Sequence, residues 1–266
     1  MNAKISFNGN DYEFPVVKGS EEEFGIDISK LRGTTGGLIT LDRGFKNTGS
    51  CESAITFLNG EEGVLRYRGY SIEELAEKGS FLEVAYLLIF GELPTKNELE
   101  KFHKDIKAES HVDEEMKKIL DGFPKSAHPM GVVSSLTSAL IAFNPSSVNV
   151  ESEEDMYKAI VKLLAKFPVI CAWALRKSTG HPLDYGDNSL GYVENVLKMM
   201  FKKPNEEYKI DPVIASALNK LLILHADHEQ NCSTSTVRIV GTSHAGLFAS
   251  ISAGVSALWG PLHGGA

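Results

Sequence analysis

The sequence predicts a mainly α protein with a small β segment at its N-terminus, and three observations predict it. The first 45 residues carry short alternating stretches around turn residues. From there on, apolar residues recur at helical spacing, with capping residues, prolines and glycines where helix ends belong. The connections between these stretches are short, and no internal repeat or low-complexity linker interrupts them. The expected organisation is a β-rich segment over 1–45 followed by a helical body over 46–266.

Lys4-Ile5-Ser6-Phe7 and Tyr12-Glu13-Phe14 alternate around Asn8-Gly9-Asn10-Asp11, which is a hairpin signal. Gly36 to Leu41 reads as a further short strand. Ser71-Ile72-Glu73-Glu74 and Thr95-Lys96-Asn97-Glu98 have the spacing of capping boxes that open helices. Between them, Phe81 to Phe90 is apolar and stops at Gly91. Val112 to Leu120 is charged and amphipathic. Pro129 to Phe143 is small and apolar all round, as in a buried helix, and Gly131, Ser134, Ser135 and Ser138 would let another helix come close. Glu151 to Lys177 is long and periodic, and Pro168 inside it predicts a kink or break near Phe167. Leu190 to Phe201, Pro212 to Leu224 and Ser243 to Leu258 complete the helices. Trp173 and Trp259 fall in apolar patterns and read as core.

Composition narrows the function classes. Apolar residues make up 42% of the 266, ordinary for a globular protein. A formal net charge of −8 argues against a general nucleic-acid or anionic-membrane surface. The three cysteines, Cys51, Cys171 and Cys232, are far apart and form no CxxC pair, so they read as free thiols in a reducing compartment. The N-terminus has no apolar signal core, and no apolar run reaches the roughly 18 residues a membrane span requires. The expectation is a cytoplasmic protein.

Two clusters carry chemistry. The first, His225-Ala226-Asp227-His228-Glu229-Gln230-Asn231, closes an apolar helix pattern. Histidines three apart can share a helix face. They can also simply bind the last carbonyls of a helix, or bind zinc with nearby carboxylates. The spacing is not the i, i+4 of a zincin helix, and no cysteine joins it. The second, Gly260-Pro261-Leu262-His263-Gly264-Gly265, places a histidine between glycines, where backbone can approach a ligand and free N–H groups suit an anion or oxyanion. Its plain alternative is a glycine turn with an exposed histidine. Arg66-Tyr67-Arg68-Gly69-Tyr70 reads as a solvated turn before a phosphate site, His128 as a helix start, and Gly180-His181-Pro182 as a turn.

Taken together the clusters resemble the citrate synthase family. His225 to Asn231, followed by Ser233-Thr234-Ser235-Thr236-Val237-Arg238, resembles its oxaloacetate-site segment. Leu258-Trp259-Gly260-Pro261-Leu262-His263-Gly264-Gly265-Ala266 resembles its first catalytic-histidine loop. Upstream, Ser50-Cys51-Glu52-Ser53-Ala54-Ile55-Thr56-Phe57, Tyr67-Arg68-Gly69-Tyr70-Ser71-Ile72, Gly91-Glu92-Leu93-Pro94-Thr95 and His128-Pro129-Met130 look like further landmarks. The resemblance runs from about Ile28 to Ala266, closest to the hexamer-forming bacterial subclass.

The resemblance implies a large-domain helical bundle and an acyltransferase joining acetyl-CoA to oxaloacetate, the first step of the tricarboxylic acid cycle. His263 matches the catalytic histidine and His228 an oxaloacetate ligand, with His225 beside it. No metal and no cofactor is implied, since acetyl-CoA is a substrate. The expected partners are those two substrates and further copies of the chain, as a homodimer or hexamer of dimers, with no nucleic acid and no membrane. Family members continue well past the point matched by Ala266, so the small domain, second catalytic histidine, aspartate base and substrate-binding arginines are expected outside this chain, and residues 1–266 alone are expected to be inactive. Ala108-Glu109-Ser110 stand where some relatives carry Arg-His-Thr for NADH, while Lys162 and Lys166 keep basic character, so weak or absent NADH inhibition is expected. The alternatives are a 2-methylcitrate synthase, since one methylene separates substrates by only about 1–3 kcal/mol, a non-catalytic helical dimerisation module, and a metallohydrolase.

Overall fold

The computed structural model describes residues 1–145 and 149–264. The chain divides into two compact units, with the boundary between Ala54 and Ile55. In the first unit, β1 (Asn2–Phe7) and β2 (Asn10–Lys18) form the expected antiparallel hairpin, with Phe7 opposite Asn10. Asn8 and Gly9 turn the chain at φ 52° and 77°, the two left-handed residues that such a tight loop requires. β3 (Phe24–Ile26) adds to the other edge of β2. The strand expected at Gly36–Leu41 does not form. A short α1 (Leu31–Thr35) ends there on Gly36 in a left-handed conformation. Ile39 and Leu41 beyond it are 66% and 82% exposed, so the alternation has no face to bury.

The second unit begins with a sheet the helical pattern did not announce. β4 (Thr56–Asn59), β5 (Val64–Tyr67) and β6 (Tyr70–Ser71) pair antiparallel, and Arg68-Gly69 make the turn between the last two. Ser71 then caps α2 (Ile72–Lys78) by accepting from the Glu74 N–H, while the Glu74 carboxylate pairs with Lys78 at 3.0 Å rather than returning to the cap. Both halves of the capping box do form at Thr95–Glu98, opening α4 (Lys96–Ala108), and at Ser80–Glu83, opening α3 (Phe81–Phe90). α5 (Met116–Asp121) occupies only the second half of the amphipathic stretch expected from Val112. α6 (Pro129–Phe143) and α9 (Pro212–Leu224) match expectation, and α8 (Tyr192–Phe201) starts two residues late. α10 (Cys232–Gly241) was not foreseen, and α11 (Leu247–Leu258) is the shorter remainder of the helix expected from Ser243.

α7 (Glu153–Thr179) corrects the break expected near Phe167, because it runs on through Pro168. Proline has no N–H, so the Leu164 carbonyl one turn back loses its helical donor. The Tyr192 hydroxyl on α8 supplies one at 2.9 Å. Burial raises the Tyr192 pKa far above the ordinary phenol range, so the group stays a donor.

The largest core gathers α5, α6, α7, α8 and α11 around Trp173, which is fully buried with its indole N–H on the Asp184 carbonyl at 3.1 Å. Of the small residues of α6, Ser134 is used within the chain. Ser134 reaches the Ser252 carbonyl and the Ser256 hydroxyl, while Ser252 donates back to the Ser134 carbonyl. Trp259 is not core as expected. It is 47% exposed and stacks on His128, with Gly131 beneath it. A smaller cluster of Tyr67, Ile72, Leu75, Val84, Leu87 and Ile223 joins β5, α2 and α3 to the end of α9.

Candidate functional site

The first histidine run is not helical. α9 stops at Leu224, and His225 is its C-cap, so the two histidines share a turn rather than a helix face. Their rings still meet edge to face, with centroids 6.3 Å apart. The His225 Nδ1 lies 2.8 Å from the Leu221 carbonyl. A carbonyl only accepts, so this contact puts a proton on Nδ1.

The turn is tied down by side chains from the sheet. The Glu229 carboxylate accepts the Leu58 N–H of β4 at 2.9 Å, with Glu229 itself left-handed at φ 55°. The Asp227 carboxylate accepts the Glu229 N–H at 3.0 Å. From β5, the buried Tyr67 hydroxyl lies 3.1 Å from the carbonyls of both Ile223 and Asp227 and accepts the Asp227 N–H at 3.2 Å. Burial raises the Tyr67 pKa, and the neighbouring Asp227 N–H works against that. Asn231 then opens α10: its side-chain oxygen accepts the Thr234 N–H at 3.0 Å, and its amide reaches the His228 carbonyl at 3.4 Å.

The second histidine meets the same end of α10. His263 sits in a loop closed by its own N–H on the Gly260 carbonyl and by the Gly264 N–H on the Leu258 carbonyl. A side chain at Gly264 would come within 2.6 Å of Leu258, so glycine is required there by the chain's own backbone. The Ser233 N–H points at the His263 Nε2 at 3.3 Å, and the Ser233 hydroxyl lies 2.8 Å from the same nitrogen and from the Gly254 carbonyl. An N–H can only donate, so Nε2 is the acceptor nitrogen and the proton of a neutral ring sits on Nδ1. α10 and α11 come close enough for this because residue 254 is glycine; a Cβ there would lie 2.7 Å from Val237.

The structure therefore brings His225 and His228 together and seats His263 against the α10 terminus that also holds the His228 carbonyl. Two contributors were missed as site residues. Ser233 stood in the quoted run without a role, and Tyr67 stood in the Arg66–Tyr70 run, read as a solvated turn, with nothing local to say what its hydroxyl meets. Other candidates take structural places. The Arg68 guanidinium donates to the Leu88 carbonyl at 3.1 Å, Arg66 lies over Phe57, and His128 caps α6 by accepting the Met130 N–H. Lys166 is buried and donates to the carbonyls of Glu109 and His111. Gly265 and Ala266, which end the second motif, lie outside the described residues. Among the described residues, no three His, Cys, Asp or Glu side chains converge as a metal site, and no helix is long and apolar enough to cross a membrane.

Comparison with known proteins adds three findings. The family model described as citrate synthase, C-terminal domain, matches residues 44–266. Citrate synthase from Corynebacterium glutamicum is 48% identical over 99% of this chain and 60% of its own length, and citrate synthase 1 from Mycobacterium tuberculosis is 48% identical over 99% and 61%. The chain thus spans about 60% of the length of these relatives. Among solved structures, citrate synthase from Pyrobaculum aerophilum aligns with a TM-score of 0.77 at 30% identity, covering 94% of this chain and 58% of that one. The Thermotoga maritima citrate synthase gives 0.71 at 33%, covering 85% and 57%.

Proposed function

The chain belongs to the citrate synthase family, and on that premise we propose that the full-length protein condenses acetyl-CoA with oxaloacetate and water to give citrate and CoA. In this reading a carboxylate base, not assigned within this chain, takes a proton from the acetyl methyl group. The Nδ1–H of His263 donates to the thioester oxygen as it gains enol character. The enol carbon attacks the ketone of oxaloacetate, held by His228 with His225 beside it, and water then cleaves citryl-CoA. The reaction calls for neither metal nor cofactor, and it is assigned to the cytoplasm.

One observation carries this reading: the Ser233 N–H holds the His263 Nε2 as an acceptor and so leaves Nδ1–H as the donor, at the helix end that also holds the His228 turn. Assembly as a homodimer or hexamer of dimers belongs to the same reading. Its support is that Ser135, Ser138 and Ala142 form an exposed small-residue face on α6, beside Ser134, which meets α11. Weak NADH inhibition is supported by Lys166, whose ammonium is already occupied by the Glu109 and His111 carbonyls.

The test is CoA release by the full-length protein given oxaloacetate with acetyl-CoA or propionyl-CoA. We expect citrate from acetyl-CoA, and His263→Gln should lower kcat by about 100- to 10,000-fold. A higher kcat/KM for propionyl-CoA would move the assignment to 2-methylcitrate. No CoA release with either thioester would remove it.

A further inference from the structure

In a helix that continued past Leu224, the Asp227 N–H would donate to the Ile223 carbonyl, four residues back. The Tyr67 hydroxyl stands between them instead. It accepts the Asp227 N–H at 3.2 Å and lies 3.1 Å from the Ile223 carbonyl, with the Asp227 carbonyl also 3.1 Å away. A side chain that enters the helical ladder in this way opens it at that point. Tyr67 is wholly buried, and its ring is fixed among Ile72, Leu75, Val84, Leu87 and Ile223, so the hydroxyl has one place to be.

We infer that Tyr67 is a positioning residue for the histidine turn, its phenol replacing one helical hydrogen bond so that the chain leaves α9 and presents His225 and His228 together. Without the hydroxyl, the Asp227 N–H either closes on the Ile223 carbonyl, extending α9 and swinging His228 away, or loses this acceptor, while the Ile223 carbonyl keeps the Ala226 N–H at 3.2 Å. Both outcomes loosen the pair of imidazoles while leaving the ring packing intact. The sheet thereby helps set the geometry of the histidine turn. The kinetic part of this inference rests on the function proposed above; the structural part does not.

The experiment compares the full-length protein with Tyr67→Phe by amide hydrogen exchange and steady-state kinetics. In the parent, the Asp227 amide should exchange as slowly as the amides in the body of α9, although it lies in a turn, and Tyr67→Phe should change that rate. The KM for oxaloacetate should rise about tenfold, with kcat within about twofold and the thioester KM unchanged. A purely structural tyrosine would lower the melting temperature and leave the oxaloacetate KM alone, which overturns the inference. Fast exchange of the Asp227 amide in the parent overturns it as well, and that measurement stands even where Tyr67→Phe does not fold. A parent protein without condensing activity would refute the proposed function, while the exchange result would still decide on Tyr67.

Discussion

At Pro168 in α7 and at the end of α9 a backbone hydrogen bond of the helical ladder is missing, and in both places a tyrosine hydroxyl from a neighbouring element answers for it. In α7 the loss is chemical: Pro168 has no N–H, and Tyr192 donates to the Leu164 carbonyl at 2.9 Å. At the end of α9 the residues from His225 to Asp227 all have their N–H groups, yet the Tyr67 hydroxyl stands where the bond from Asp227 to Ile223 would be. The outcomes are opposite. α7 continues for eleven residues past its proline, to Thr179, deep in the largest core. α9 ends, and the chain turns to expose His225 and His228. The lesson is that a hydroxyl placed in the helical ladder does not act alone: it ends the helix where the residues downstream have no deep core to enter, as at α9, and is carried through where they do, as in α7. Beyond Pro168 lie Val169, Ile170, Ala172 and Trp173, all buried. Beyond Leu224 Ala226 still packs against the smaller cluster, but its neighbours His225, Asp227, His228, Glu229 and Gln230 are polar and none is buried.

The largest effect that would break this comparison is at Tyr192. Tyr192→Phe should cost about 1–3 kcal/mol of stability by leaving the Leu164 carbonyl without its donor. The same change in a Pro168→Ala background should cost less, because alanine restores an N–H to that carbonyl. Denaturant unfolding of the four proteins gives the coupling, expected at about 1 kcal/mol. Equal losses in both backgrounds would mean that Tyr192 acts by packing alone.

A smaller effect sharpens the comparison through the caps. Asn231 begins α10 at the histidine turn and Ser152 begins α7, and each side chain accepts an N–H of the first turn, at 3.0 Å and 3.2 Å. Replacing either with Ala should cost about 1 kcal/mol. Only Asn231→Ala also removes the amide that reaches the His228 carbonyl, so only it should raise the oxaloacetate KM. Equal KM values for the two variants would separate α10 from the turn that precedes it.

How much of this was legible in the sequence depended on whether the cause was local. Capping residues, the Asn8-Gly9 turn, Gly91 and the apolar stripes act through their immediate neighbours, and the elements they define were found. The break at Pro168 was a sound local inference overruled by Tyr192, 24 residues away in sequence, through a contact that no periodicity records. The strand at Gly36–Leu41 failed for the converse reason: its apolar residues suit a strand, but among the described residues no strand pairs with it. In the site, His225, His228 and His263 stood out because histidines among polar residues and glycines are conspicuous. Ser233 and Tyr67 did not, because a serine in a helix and a tyrosine in a strand look the same whether or not a distant backbone group meets them.

The smallest effect concerns the layer around Pro168 itself. A cavity of about 40 Å³ lies there between α4, α7 and α8, lined by Pro168, Tyr192 and His103 among others. The His103 Nε2 is buried and finds no hydrogen-bond partner among the described residues. Burial lowers its pKa, and Lys107 on the same helix lowers it further, while Glu83 on α3 opposes them. The unfolded chain therefore takes up a proton on this histidine near the ordinary value of about 6.5, whereas the folded chain does so only at lower pH. Between those two values the unfolded state binds more protons, so stability falls as pH falls and is regained as pH rises above the unfolded value. Thermal unfolding followed from pH 7.5 to about 5.5 should show a declining melting temperature, and His103→Leu should flatten part of that decline. An identical decline in parent and His103→Leu would show that the buried layer around Pro168 is not where the protein senses acid.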